Sequence, residues 1–297
     1  MRMRVLVAAS TGFIGRNLYE YLQSKDDIDL YRLDSKNCDF TNEEQVKHFL
    51  ENNWYDVILM CANYGDGRNK NNDVNKVLEY NMRIVLNFEK CSKLFGKLLY
   101  FGSGAEFDKR YDISMVTEQD FGNSIPTDQY GLYKYIVNKI IENSDNMYNL
   151  RLFGVFGKYE DWKKKFISNV CCKAVKGIPI TIRKNVFFDY LWINDLCKIV
   201  EHFIYNECEF HSYNVVNGTP ISLIEIAELV KEISSKDIPI YVCEEELGNE
   251  YTASNQRLLN ELKDFNYTSM QDSIRELYQW YNEREDAIDL YPLLYQQ

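Results

Sequence analysis

A doubly wound α/β fold with a parallel sheet is predicted for this 297-residue chain, and three observations predict it. Short apolar runs of strand length alternate with amphipathic stretches of helical length through the first half of the sequence. The first run, Arg4-Val-Leu-Val-Ala8, passes straight into a turn that carries Gly12 and Gly15. Further on, Tyr130 and Lys134 stand four apart on a helical stretch, one turn from each other on one face. Strands that read as unbroken apolar runs belong in a parallel sheet covered on both faces. Ligands of such sheets bind outside the carboxyl ends of the strands.

The elements follow in order. Arg4 to Ala8 is a buried strand, and Arg16 to Gln23 begins a helix. Ile28 to Leu33 is the second strand. Asn42 to Asn52 is a helix, with Val46, Phe49 and Leu50 on its inner side. Asp56 to Met60 is the third strand, and Asp73 to Phe95 holds a long helix. Lys97 to Phe101 is the fourth strand, followed by Gly102-Ser-Gly104. A helix from Tyr130 to Glu142 leads to the strand Asn149 to Phe153, closed by Gly154 and Gly157. From there the pattern changes. Lys158 to Lys165 is a charged surface loop. Helices are expected at Phe166 to Val175, Asn194 to Tyr205 and Met270 to Tyr281. Strands are expected at Pro179 to Ile182, Tyr213 to Val216 and Ile238 to Cys243. Ser222 with Glu225 forms a capping box for a helix running to Val230. The tail from Asp289 to Gln297 has no clear period. There is no internal repeat and no flexible linker. A division into residues 1–165 and 166–297 is expected, with strand exchange between them allowed.

Composition narrows the function. The formal net charge of -11 argues against an affinity for nucleic-acid backbones. Local Arg, Lys and helix N-termini can still hold phosphates. No stretch approaches the ~20 apolar residues that span a bilayer, so no membrane partner is expected. The basic, then apolar, start reads as a first strand and not as a leader. Eight cysteines are scattered, with only Cys171 and Cys172 adjacent, and the three histidines lie far apart. Reduced thiols, a cytoplasmic setting and no metal are the expectation.

The opening turn reads as a dinucleotide site. Gly12 and Gly15 have the spacing of the last two glycines of the phosphate-binding fingerprint, while Ala9 stands at the first. Alanine keeps that position small but restricts positive φ. Ser10, Thr11, Phe13 and Ile14 complete the turn, and the helix that follows aims N–H groups at a pyrophosphate. At the end of the second strand stand Arg32, Asp34 and Lys36. A carboxylate there accepts ribose hydroxyls, as for NAD. Cations welcome a 2′-phosphate, as for NADP. Alternation puts Arg32 and Asp34 on one side if the strand reaches that far. NADP is the preferred reading, with NAD as the alternative. Asp39 approaches the adenine or belongs to the acidic start of the next helix. Cys61, Ala62 and Asn63 follow the third strand, where small residues let backbone approach the cofactor.

Taken together, Val7-Ala-Ala-Ser-Thr-Gly-Phe-Ile-Gly15, Asn81, Tyr100-Phe-Gly-Ser-Gly104, Tyr130-Gly-Leu-Tyr-Lys134, Leu150-Arg-Leu-Phe-Gly-Val-Phe-Gly157 and Tyr190-Leu-Trp-Ile-Asn-Asp195 resemble the extended short-chain dehydrogenase/reductase family. Within it, the likeness is to the NAD(P)-dependent nucleotide-sugar epimerases, dehydratases and 4-keto-reductases. The resemblance spans roughly residues 3 to 235. It implies a Rossmann-type sheet with a smaller C-terminal α/β substrate-binding domain. It makes Tyr130 the catalytic acid, has Lys134 hold the nicotinamide ribose and lower the tyrosine pKa, and places Asn81 among the cofactor residues. The usual catalytic hydroxyl of the family falls on Gly104. Either Ser103 reaches the site through a shifted backbone, or another group or water substitutes. Dehydratases carry Asp-Glu where this chain has Ala105-Glu106, which weakens that reading. Glu106 contacts a sugar hydroxyl, acts as a base, or is a solvated carboxylate. Asn169, Lys173 and Arg183 are the candidates for the substrate's diphosphate. Tyr190 and Trp192 read as core or interface aromatics, and Asp195 as ordering a helix start. The expected function is NADPH-dependent reduction of a 4-keto nucleotide-diphosphate sugar. The alternatives are an NAD-dependent C4 epimerase and an NADP-binding regulatory or scaffold protein. A homodimer through the helices around Asn81 and Tyr130 is also implied.

Overall fold

The computed structural model describes residues 2–65 and 73–295. Six strands form one parallel sheet. In chain order they are β1 (Met3–Ala8), β2 (Ile28–Leu33), β3 (Val57–Met60), β4 (Lys97–Ser103), Met147–Leu152 and Ser212–Val215. Across the sheet they run Ser212–Val215, Met147–Leu152, β4, β3, β1, β2. The chain therefore leaves β1 in one direction to make β2 and returns past it to make β3. That reversal leaves a crevice beyond the carboxyl ends of β1 and β3, where doubly wound sheets bind ligands.

Alternation along β1 feeds two cores. Val5 and Val7 pack with α1 (Phe13–Leu22) and with the helices Phe166–Lys176 and Ile193–Tyr205. Leu6 and Ala8 face the opposite side, against α2 (Glu43–Glu51), α3 (Val77–Glu89) and α4 (Gln129–Ile141). Both faces are thus apolar, which is why these strands read as unbroken runs.

The C-terminal part carries smaller sheets. One has four strands in the order Ile221–Ser222, Phe187–Phe188, Tyr251–Ala253, Ile113–Val116. It takes Ile113–Val116 from the N-terminal half, while Ser212–Val215 from the C-terminal half joins the large sheet. The two parts exchange strands in both directions. Ser222 accepts a hydrogen bond from the Glu225 N–H and Glu225 accepts one from the Ser222 N–H, closing the expected capping box. The helix it starts runs on to Ser234.

Several elements differ from expectation. The stretch Asp73 to Phe95 is broken into a 3-10 turn, α3 and a second 3-10 turn. The short strands at Ile113–Val116, Gly154–Phe156, Phe187–Phe188, Tyr190–Trp192 and Tyr251–Ala253 carry no sequence signal of their own, since two to four residues are too few to establish a period. The tail forms a short helix, Leu290–Leu294, and Gln296 and Gln297 lie outside the described residues. No helix is long and apolar enough to cross a membrane among the described residues. Nor is there a cluster of three or more metal-ligating side chains among them.

Candidate active site

The turn after β1 sets the first wall. Ala9 has a φ of 62°, inside the left-handed region that glycine normally supplies. A Cβ at Gly15 would stand 2.5 Å from the Ala9 carbonyl oxygen, so glycine there lets α1 press against the turn. A Cβ at Gly12 would meet only that same oxygen, at 3.8 Å. The first turn of α1 has no side-chain cap and no acidic residue. Its N–H groups and the positive end of the helix dipole are thereby left for an anion at the crevice.

Phe13 and Ile14 line a cavity of about 260 Å³ together with Cys61, Ala62 and Asn63 from the end of β3. Asn63 accepts a hydrogen bond from the Tyr133 hydroxyl. Asn81 does not line this cavity. It is buried, accepts from the Tyr64 N–H at 2.8 Å and donates to the Tyr64 carbonyl at 3.0 Å. Its part is to pin the loop beyond β3 to α3.

The end of β2 differs from the expected alternation. The strand stops at Leu33, and Asp34 lies in a turn where its carboxylate accepts the Lys36 N–H at 2.9 Å. Arg32 is exposed, with its guanidinium 5.7 Å from the Tyr19 ring, and it enters no ion pair among the described residues. Asp39 caps its own turn, accepting from the Thr41 N–H at 2.9 Å and hydroxyl at 2.7 Å. The N-cap of α2 itself is Asn42, and the acidic residues of its first turn are Glu43 and Glu44.

Tyr130 and Lys134 lie on α4, whose N-cap Asp128 accepts the Gly131 N–H. Gly131 has to be small. A Cβ there would stand 2.7 Å from Pro126 Cβ and 2.9 Å from the Ala105 carbonyl oxygen. This close contact holds α4 against the turn after β4, and so Tyr130 beside Ser103. Lys134 is buried and donates to the Phe101 carbonyl at 2.5 Å. Its Nζ sits 4.4, 5.2 and 5.9 Å from the ring centres of Tyr100, Tyr133 and Tyr130. Burial pulls its pKa down to about 7, against the Glu106 carboxylate, which raises it. The ring faces and the carbonyl favour the ammonium form.

Ser103 and Glu106 close a small box. The Ser103 hydroxyl accepts the Ala105 N–H at 3.2 Å, and Glu106 accepts the Ser103 N–H at 3.0 Å. Glu106 has no exposed surface. It pairs with the equally buried Arg151 at 2.7 Å and accepts from Asn149. Glu106 lines neither cavity, so the solvated and sugar-contacting roles do not fit where it stands.

A second cavity, of about 440 Å³, opens between the large sheet and the smaller ones. It shares Ser103, Tyr130, Phe153, Val155, Glu160 and Lys165 with the first. Lys109 and Lys164 add positive charge to its wall. Tyr190, expected as a core or interface aromatic, also lines it, whereas Trp192 is core. The substrate candidates Asn169, Lys173 and Arg183 do not line it. Asn169 donates to the Trp162 carbonyl at 3.0 Å, Lys173 is buried in its helix, and Arg183 is exposed and paired with Glu244 at 2.9 Å. Asp195 ties its helix to the start of the helix Met270–Asn282 by accepting the Thr268 N–H at 2.7 Å and hydroxyl at 2.9 Å.

The charged stretch 158–165 is more than a surface loop. Glu160 is buried, accepts the Ser168 hydroxyl at 2.6 Å, and is pushed up by burial to about 8. Glu160, Lys165 and Tyr251 were not legible as site residues. Only the charge of the stretch 158–165 marked the first two, and nothing local marked Tyr251.

A dinucleotide-type crevice at the strand-order reversal, with a Tyr-Lys pair on the adjoining helix and a second cavity beyond it, defines a class of oxidoreductase-like α/β proteins. The chain belongs to the NAD dependent epimerase/dehydratase family, whose model matches residues 5–217. It is 22% identical over 310 residues to a GDP-L-colitose synthase of Yersinia pseudotuberculosis, covering 96% of this chain and 100% of that one. It is 25% identical to a GDP-6-deoxy-D-talose 4-dehydrogenase of Aggregatibacter actinomycetemcomitans, covering 93% and 97%. Among solved structures, a GDP-mannoheptose C4 reductase from Campylobacter jejuni with NADP bound superposes with a TM-score of 0.82, 17% identity and coverage of 94% and 98%. That last likeness is one of fold.

Proposed function

We propose that this protein reduces a keto group, at C4, on a sugar carried by a nucleoside diphosphate, with NADPH as the hydride source. The observation that carries the reading is the common wall of the two cavities, where Tyr130 and Ser103 face both. When bound, NADPH supplies a hydride to the sugar carbon. Tyr130 gives its phenolic proton to the carbonyl oxygen as that hydride arrives, so no free alkoxide has to form. Lys134, held by the Phe101 carbonyl, stabilises the resulting phenolate. Lys109, Lys164 and Lys165 offer the diphosphate a cationic edge in an otherwise acidic protein.

The turn Ala9–Gly15 and the cavity walls Phe13, Ile14 and Cys61–Asn63 are the residues that would hold the dinucleotide. The exposed Arg32 supports NADP over NAD, because Asp34 is turned into its own loop. Relatives named for GDP-linked 6-deoxy sugars support the substrate class.

GDP- and dTDP-linked 4-keto-6-deoxyhexoses, incubated with the protein and either NADPH or NADH, test this. Loss of reduced-nicotinamide absorbance, faster with NADPH, is the expected result. Tyr130→Phe should lower kcat about 10²- to 10⁴-fold. Full turnover by Tyr130→Phe would remove the acid assignment. Interconversion of nucleotide hexoses with no net cofactor change would point to an epimerase instead.

A further inference from the structure

We propose that Tyr251 supplies the hydroxyl that the chain lacks at position 104. The assignment rests on the reduction proposed above and adds a residue to it. Gly104 is not a gap open to solvent. A Cβ built there would stand 2.5 and 2.6 Å from Phe153 ring carbons and 2.7 Å from the Tyr251 hydroxyl oxygen. A side chain at 104 would have to displace both, so the Phe153 ring and the Tyr251 phenol together occupy the volume it would need.

Tyr251 reaches this place from the far part of the chain. It opens the strand Tyr251–Ala253, which pairs with Ile113–Val116 on one side and Phe187–Phe188 on the other. Its carbonyl accepts the Asp189 N–H at 3.1 Å. Its ring packs against Phe153 and Phe188, with centroids 5.0 and 5.9 Å away. The hydroxyl is thereby fixed at the mouth of the Ser103–Phe107 turn, 3.4 Å from the Ser103 Oγ. Tyr251 also lines the larger cavity with Tyr130 and Ser103. Ser103 caps the turn by accepting the Ala105 N–H, which leaves its own proton to donate, either to the Tyr251 oxygen or into the cavity beside it. Of the two hydroxyls, the phenol is the one the glycine makes room for.

In the proposed step Tyr251 donates a hydrogen bond to the carbonyl oxygen and keeps its proton. The hydride goes to the carbon and the proton comes from Tyr130, so the count of atoms and electrons is unchanged. The hydrogen bond strengthens as negative charge develops on that oxygen. A glycine at 104 and a tyrosine at 251 then form one unit drawn from two parts of the chain.

The test is Tyr251→Phe, which keeps the ring contacts and deletes one oxygen. With a 4-keto-6-deoxyhexose that the wild type reduces, kcat should fall about 10²-fold or more while KM changes little. NADPH affinity, read by quenching of protein fluorescence, and the urea midpoint should stay at wild-type values. A kcat within about threefold of wild type would overturn the assignment to Tyr251 and leave the reduction standing. So would a loss of turnover that tracks loss of folded, NADPH-binding protein, because Tyr251 would then be structural. A wild type inert on every 4-keto sugar, yet able to bind NADPH, would overturn the proposed function and this assignment with it.

Discussion

Ala9 shows how much one residue reveals. The turn after β1 needs a left-handed conformation, and the chain adopts it with an alanine at φ 62°. For an L-residue that conformation costs roughly 1–2 kcal/mol. Glycine removes the cost but gives back up to about 1 kcal/mol through its freer unfolded chain. Ala9→Gly should therefore raise stability by about 0.5–1 kcal/mol, seen as an increase of about 1–2 °C in Tm. An unchanged or lower Tm would mean that the turn has relaxed around alanine. The neighbouring Gly15 was readable for a different reason: its absent side chain makes room for the Ala9 carbonyl. Tyr130 and Lys134 were readable as well, because four-residue spacing on a helix fixes a shared face in any tertiary setting.

At the scale of elements, the turn after β4 and the strands Met147–Leu152 and Ser212–Val215 are joined by charge buried beneath the site. Arg151 has no exposed surface, pairs with Glu106 at 2.7 Å and donates to Asn214 at 2.9 Å. Its guanidinium also lies 4.9 Å from the Phe107 ring centre. Removing one member of such a pair leaves the other charged and dry, at a cost of about 3–5 kcal/mol. Glu106→Gln should lower the urea midpoint by a corresponding amount, while turnover per folded molecule should change only as far as Lys134 loses the ammonium charge that this carboxylate supports. The opposite pattern, stability kept and turnover lost, would return Glu106 to a chemical role. Sequence showed a carboxylate near the fourth strand and an arginine on the next. It did not show that they meet, because their 45-residue separation is closed only by the parallel pairing of β4 with Met147–Leu152.

At the scale of the whole molecule, the larger cavity exists because the two parts of the chain trade strands. Ile113–Val116 crosses to the smaller sheet and Ser212–Val215 returns to the larger one. Glu160 sits at that seam, lining both cavities. Its pKa is raised by burial to about 8 from an ordinary value near 4.5. Between those values the folded protein holds a proton that the unfolded chain has lost. Glu160 thus lends stability at acid pH that disappears as pH rises from about 4.5 through about 8. Urea midpoints of wild type and Glu160→Gln, compared at pH values on either side of that window, should diverge. The wild type should lose on the order of a few kcal/mol more than the variant on going to the alkaline side. Parallel behaviour of the two proteins would show that Glu160 is ionised throughout.

The sequence by itself determined the parallel sheet, the order of its first strands, the dinucleotide turn and the Tyr130–Lys134 pair. Each is encoded in a continuous run of residues whose period or spacing has a single geometric reading. Tertiary structure alone decided what surrounds the pair. Glu106 went inward to Arg151, Arg183 went outward to Glu244, and the volume at Gly104 was filled from positions 153 and 251. Those outcomes depend on residues about 45 to 150 positions apart coming together across sheets. Local spacing carries no record of such meetings, because side chains from distant strands choose their partners only when the core closes.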